Sequence, residues 1–167
     1  MEMIGPLSSS PIVRRYPGNP ILSADDVPYE SRLAYNPGVV KYQGRYVMVF
    51  RNDYGFSENE VKAPNFQLGL AYSDDGVHWQ VQPKPILEPD DPEVLGNYDP
   101  RLTLLEGRVM ITYAQYTRHG FRATIAATTD FERFEILDRS VPDNRDNVLF
   151  PEKVGGRYLR LERPFPF

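Results

Sequence analysis

Cysteine is absent from the 167 residues, which excludes disulfides and thiolate metal sites. The two histidines, His78 and His119, are too few for an imidazole cluster, so no metal and no cofactor are expected. No stretch approaches the roughly eighteen apolar residues of a membrane span. Positive charge is not in excess: 19 Lys and Arg stand against 23 Asp and Glu, for a net charge of −4. A general nucleic-acid binder needs a basic surface to neutralise phosphates, and that class is set aside. No basic segment followed by an apolar one appears near Met1, so no signal peptide is expected and the cytoplasm is the expected compartment. Long segments of helical period are also missing.

What is present suits a single β-rich domain with a proper core. Hydrophobic residues make up 41% and charged residues 25%, while aromatics reach 13% and prolines number sixteen. The apolar segments are short and regularly punctuated. Val39 to Tyr42, a Gln43-Gly44 turn and Arg45 to Arg51 read as a hairpin. Gln67 to Tyr72 is a third strand and Gln80-Val81 a short fourth. The same grammar returns in Leu102 to Leu105, the Glu106-Gly107 turn, Arg108 to Tyr113, Phe121 to Thr128 and Glu135 to Leu137, and a third round is expected from Lys153 to Arg160. Gly44, Gly107 and Gly156 are 63 and 49 residues apart, and Asp75 and Asp130 are 55 apart. Four strands per unit of roughly 50 residues is the signature of a β-propeller. The expected division is a lead-in segment packed on the surface at 1–35, blade one at 36–97, blade two at 98–143 and the start of blade three at 144–167.

Tyr98-Asp99-Pro100-Arg101 places an acid and a base within three residues. Pro100 fixes its own φ and biases Asp99 toward an extended backbone, so the motif is expected at the start of a strand. Asn36-Pro37-Gly38, Arg51-Asn52-Asp53, Asn144-Arg145-Asp146-Asn147 and Glu162-Arg163-Pro164 are likewise polar groups flanked by apolar runs, expected at strand starts or ends. Polar groups converging on one pocket of a rigid scaffold make a candidate site. Ser73-Asp74-Asp75-Gly76-Val77-His78-Trp79 is expected to be structural, with Asp capping the turn, Gly76 at positive φ and Trp79 packing between strands. Purely structural alternatives stand beside the site reading: Arg145 pairing with Asp143 or Asp146, Arg51 supporting Asp53, and Arg163 as a solvated charge.

The ordered series Ala34-Tyr35-Asn36-Pro37-Gly38, Val49-Phe50-Arg51-Asn52, Tyr98-Asp99-Pro100-Arg101, Asn144 to Lys153 and Glu162-Arg163-Pro164 resembles glycoside hydrolase family 130, the β-mannoside phosphorylases and mannosidases. The resemblance implies a five-bladed propeller in which Asp99 is the catalytic acid. It implies that Arg145 and Arg163 bind phosphate and that Asn36, Arg51, Tyr98 and Arg101 lie around the sugar. Phosphate, already an anionic nucleophile, removes the need for the second carboxylate of an inverting hydrolase. Guanidinium groups suit it by charge and by fork geometry. Asp99, kept protonated by a pocket that resists its charge, would donate to the glycosidic oxygen, directly or through a hydroxyl of the bound mannose. The implied activity is inverting phosphorolysis of a β-mannoside to α-mannose 1-phosphate, with inorganic phosphate as co-substrate. An inverting β-mannosidase and a non-catalytic carbohydrate-binding or assembly module remain alternatives. Family members are about twice this length, so about two and a half blades are expected here, as part of a longer protein or completed by another chain or copy. The isolated chain is then expected to be weakly active or inactive.

Overall fold

The computed structural model describes residues 10–55 and 65–165; residues 1–9, at the start of the lead-in, 56–64 and 166–167 lie outside the described residues. One turn of 3-10 helix, Ala24–Asp26, is the only helix among the described residues. Ten strands follow: β1 (Leu33–Tyr42), β2 (Arg45–Tyr54), β3 (Asn65–Ser73), β4 (Gln80–Val81), β5 (Val94–Leu105), β6 (Arg108–Thr117), β7 (Gly120–Thr128), β8 (Glu135–Arg139), β9 (Asn144–Leu149) and β10 (Arg160–Pro164). They form antiparallel sheets in the orders β1-β2-β3-β4, β5-β6-β7-β8 and β10-β9. No described helix is long and apolar enough to cross a membrane.

The expected hairpins are present, and their turns explain them. Gln43-Gly44 and Glu106-Gly107 have positive φ at both positions, the mirror-image turn whose twist matches that of paired strands. The third round is corrected. Its ladder is β9 with β10, and the Gly155-Gly156 turn expected at its centre closes only the isolated bridge Val154 to Arg157. Phe150-Pro151 and the residues up to Leu159 make the connection, because Pro151 has no N–H to continue a ladder.

Apolar runs in this chain are continuous because each complete sheet buries both faces. Val47 and Val49 of β2, with Leu68 and Leu70 of β3, face Val109, Ile111, Tyr113, Ala126 and Phe131 of the second sheet. The alternate residues Met48 and Phe50, with Ala71, turn the other way and are covered by Leu22, Val27 and Trp79. The far face of the second sheet packs Leu105, Met110, Ile125 and Ala127 against Leu149 of β9. The sheets therefore stack side by side.

Two matching turns tie the outer strands. Asp75 Oδ1 accepts from the Val77 and His78 amides at 2.8 Å, and Asp130 Oδ1 accepts from Glu132 and Arg133 at 3.0 and 2.9 Å. Ser73 and Thr128 supply the partner hydroxyls, which accept from Gly76 and Phe131. The structural reading of the first box is thereby supported, and Trp79 Nε1 closes it by donating to the Gly76 carbonyl at 3.2 Å. His78 and His119 are both exposed. The Arg133 and Glu132 amides hold the Asp130 carboxyl down at about 2, below its ordinary 3.8. A depressed folded-state pKa means stability present above about pH 4 and lost as pH falls toward 2. Asp130→Asn is expected to be less stable than the wild type at pH 7, with the two denaturation midpoints converging between pH 4 and pH 2. Curves that stay parallel over that window would refute the assignment.

Candidate active site

The first strand of each sheet carries a bulge of the same kind at an equivalent place, and β5 has a further register break between Val94 and Gly96. Asn36 and Pro37 of β1 stand opposite Phe50 alone, Asp99 and Pro100 of β5 opposite Tyr113, and Asp146 and Asn147 of β9 opposite Glu162. The leading residue of each pair is left-handed, with φ of 47°, 51° and 56°. Asn and Asp are among the few side chains that tolerate that region, and a bulge re-aims the side chain it contains. Two expectations are corrected here. Asp99 is not extended, and Asn36-Pro37-Gly38 and Tyr98 to Arg101 lie inside β1 and β5, which begin at Leu33 and Val94, whereas Asn144 to Asn147 opens β9 and Arg51-Asn52-Asp53 falls near the end of β2, as expected. The apolar runs end where a strand leaves the intersheet core, but the backbone ladder continues past that point. Glu162-Arg163-Pro164 does fall at a strand end, closing β10.

Three of the predicted residues meet directly. Asp99 Oδ1 accepts from Asn36 Nδ2 at 3.0 Å and from Arg51 Nη1 at 3.3 Å. The carboxylate is only 15% exposed. Both donors are aimed at the same oxygen. Arg51 is itself held from behind: Nε and Nη2 donate to the two oxygens of the buried Asp53 at 2.6 and 2.9 Å. Its guanidinium lies 4.9 to 5.0 Å from the ring centres of Tyr35, Phe66 and Tyr98. Tyr35 completes the cage by donating its hydroxyl to Asp53 at 2.8 Å; burial and that bond push its phenol up to about 12, so it remains a donor at neutral pH. Arg51 thus supports Asp53, as its structural alternative held, and touches Asp99 as well.

Close approach of β1 to β5 makes this meeting possible. A Cβ on Gly38 would lie 2.5 Å from Leu102 Cδ1 and 2.9 Å from its backbone nitrogen. Gly38→Ala is expected to part the strands, costing about 1 to 3 kcal/mol by denaturant titration. It should also lower turnover by disturbing the contact between Asn36 and Asp99, and an unchanged variant would show the strands can shift freely.

Arg145 and Arg163 are direct cross-strand neighbours on β9 and β10. Like charges so placed repel unless an anion lies between them. Asp146 supplies one: Oδ2 is 2.7 Å from Arg163 Nη1 and 3.8 Å from Arg145 Nε. Phe165 stacks on both guanidiniums at 4.7 and 5.4 Å, and Phe121 on Arg145 at 5.3 Å. The Tyr98 ring links the two halves of the site, with Arg51 over it and the Phe121 ring edge-on at 6.2 Å. Burial pushes its phenol up while the adjacent Arg145 guanidinium pulls it down, and the Asp99 and Asp146 carboxylates also act on it. Arg101 folds back, donating to the Pro100 carbonyl at 2.8 Å, and makes no hydrogen bond or ion pair with Asp99 among the described residues.

Among the described residues, Tyr98 Oη, Asn144 Oδ1, Arg145 Nε, Asp146 Oδ1 and both amide atoms of Asn147 are buried without a hydrogen-bond partner. Buried polar groups are nearly always satisfied, so this concentration marks where polar groups from elsewhere are received. Sequence reasoning gave no role to Phe66 or Phe121, named Tyr35 only within a motif, and weighed Asp53 and Asp146 only as structural partners of Arg51 and Arg145. The i, i+2 spacing of Arg51 and Asp53 on one strand face is the signal that reveals the first pair; the others depend on register.

The chain matches, over residues 9–166, the glycoside hydrolase 130 profile described as β-1,4-mannooligosaccharide phosphorylase. It is 33% identical to the β-1,4-mannooligosaccharide phosphorylase of Ruminococcus albus over 95% of this chain and 48% of that protein. It is 31% identical to a 1,2-β-oligomannan phosphorylase of Thermoanaerobacter sp. over 83% of this chain and 48% of that protein. The solved structure of the Listeria innocua β-1,2-mannobiose phosphorylase superposes with a TM-score of 0.82 at 21% identity, covering 92% of this chain and 58% of that one. The chain thus spans about half the length of the curated relatives it matches, and its all-β fold is that of propeller-like neighbours.

Proposed function

This chain belongs to glycoside hydrolase family 130, and from that premise we propose that it serves an inverting β-mannoside phosphorylase, which transfers a mannosyl group to inorganic phosphate and releases α-mannose 1-phosphate. The observation that carries the reading is the pair Arg145 and Arg163, facing each other across β9 and β10 and joined through the Phe121 and Tyr98 rings, which Arg145 and Arg51 cover, to the side of the site that holds Asp99. With two donors on Oδ1, the proton that Asp99 delivers sits on Oδ2. The bond between the anomeric carbon and the glycosidic oxygen breaks, its electron pair staying on that oxygen, which takes the proton directly or through a sugar hydroxyl. A phosphate oxygen bonds to the anomeric carbon from the opposite face. Arg145 and Arg163 hold and aim that phosphate, with Asn36, Tyr98 and Arg101 around the sugar and Arg51 behind Asp99. No cofactor is needed.

The carboxylate that shares Arg51 with Asp99 also favours phosphorolysis over hydrolysis. A water-activating base needs a free oxygen, whereas both Asp53 oxygens accept from Arg51 and one also from Tyr35. In the same reading the two four-stranded sheets and the two-stranded third sheet are blades of a five-bladed propeller, about two and a half of them in this chain, with boundaries near 36, 98 and 144. The cytoplasm is the proposed compartment, because a charged sugar phosphate is retained behind a membrane.

Incubation of the intact protein with a β-mannosyl disaccharide, with and without phosphate, tests the proposal. α-Mannose 1-phosphate, seen by phosphorus NMR only when phosphate is added, is the expected product. Free mannose released independently of phosphate would make the protein a mannosidase, and sugar binding without turnover a binding module. Arg145→Ala and Arg163→Ala are each expected to raise the KM for phosphate about 10- to 100-fold, the worth of a charge-assisted hydrogen bond.

A further inference from the structure

We propose that Asp146 recognises the hydrogen of bound hydrogen phosphate, and so admits that anion while rejecting fully deprotonated oxyanions such as sulfate. The inference rests on the phosphorylase reading above. Asp146 holds in β9 the left-handed bulge position that Asn36 and Asp99 hold in β1 and β5. That repetition aims it at the pocket the other two serve. Its two oxygens have different surroundings. Oδ2 is committed to Arg163 at 2.7 Å, with Arg145 Nε at 3.8 Å, whereas Oδ1 is buried with no partner among the described residues.

An ionised carboxylate is an acceptor only. Placed between two arginines that receive an anion, it repels any oxygen that brings lone pairs alone. Hydrogen phosphate carries an O–H that can point at Oδ1, turning the repulsion into a charge-assisted hydrogen bond. Sulfate at neutral pH has no hydrogen to offer. Asp146 thus holds Arg163 through one oxygen and reads the protonation state of the ligand through the other.

The test uses the intact protein, measuring the KM for phosphate and the inhibition constant of sulfate in the phosphorolysis of a β-mannosyl disaccharide. In the wild type, sulfate is expected to bind at least about tenfold more weakly than phosphate. Asp146→Asn, whose amide can donate, is expected to shrink that ratio about tenfold or more. Wild-type protein that binds sulfate within about threefold of phosphate overturns the proposal, and this arm needs no variant to fold. A folded Asp146→Asn protein with an unchanged ratio overturns it too. Should the wild type release mannose without phosphate, and Asp146→Asn abolish that release, Asp146 is a base for water and the phosphorylase reading falls as well. Phosphate-dependent turnover with an unchanged ratio sinks the anion-recognition role alone.

Discussion

Asp99→Asn is expected to lower phosphorolysis by about 10²- to 10⁴-fold, the range that positioned general acids contribute, while leaving the denaturation midpoint within about 1 kcal/mol of the wild type. The variant isolates the proton. Asn keeps the size of the side chain and retains an oxygen to accept from Asn36 Nδ2 and Arg51 Nη1. It also tolerates the left-handed backbone at this position, where φ is 51°. What it cannot supply is an acidic hydrogen for the leaving oxygen. Steady-state kinetics on a β-mannosyl disaccharide should therefore show a fall in kcat with little change in the KM for phosphate, whose proposed site is the arginine pair. An activated substrate whose leaving group needs no protonation should recover much of the rate. A variant that turns over both substrates at the wild-type rate would remove Asp99 from the mechanism.

The second large effect concerns the joint between the first two sheets. Phe131→Ala is expected to destabilise the protein by about 3 to 5 kcal/mol, the range for truncating a buried aromatic. Phe131 is 4% exposed and packs in the cluster that joins Val47, Val49, Leu68 and Leu70 to Val109 and Ile111. Its ring meets Tyr42 and Tyr72 of the first sheet edge-on, with centroids 6.2 and 6.3 Å away. The backbone beneath that ring is left-handed, with φ of 58°, where the matching turn of the first sheet has Gly76 at 79°. A non-glycine residue there costs about 1 to 2 kcal/mol, which ring burial offsets. Phe131→Gly should consequently be more stable than Phe131→Ala by about 1 kcal/mol, reversing the usual ranking. Chemical denaturation of the two variants decides it, and equal or inverted stabilities would show that no strain is held at this turn.

Asp75 and Asp130 were legible as equivalent from a spacing of 55 residues because the hydrogen bonds that define those turns span only two or three residues. The Gln43-Gly44 and Glu106-Gly107 hairpins were legible for the same reason. The resemblance selected Asp99, Arg145, Arg163 and Asn36 as one series without stating which atoms meet. Asp99 was misread as extended since the effect of Pro100 on its neighbour is a local preference, and the bulge opposite Tyr113 overrides it. Lys153 to Arg160 was misread as paired strands because two glycines make a turn wherever they stand, whereas a ladder also needs partners that only register provides.

By itself the sequence determined the all-β class, the repeated four-strand grammar, the turns and the candidate chemistry, since each rests on residues within a few positions of one another or on an ordered series of motifs. Only the tertiary structure decided that Asn36 and Arg51 share one oxygen of Asp99 across separations of 63 and 48 residues, that Arg145 faces Arg163 across a strand pair, and that Asp146 stands between them. Those contacts depend on bulge positions, on the approach of β1 to β5 at Gly38 and on sheet stacking. Each is the joint result of many weak packing terms spread along the chain, so no local pattern of residues specifies it.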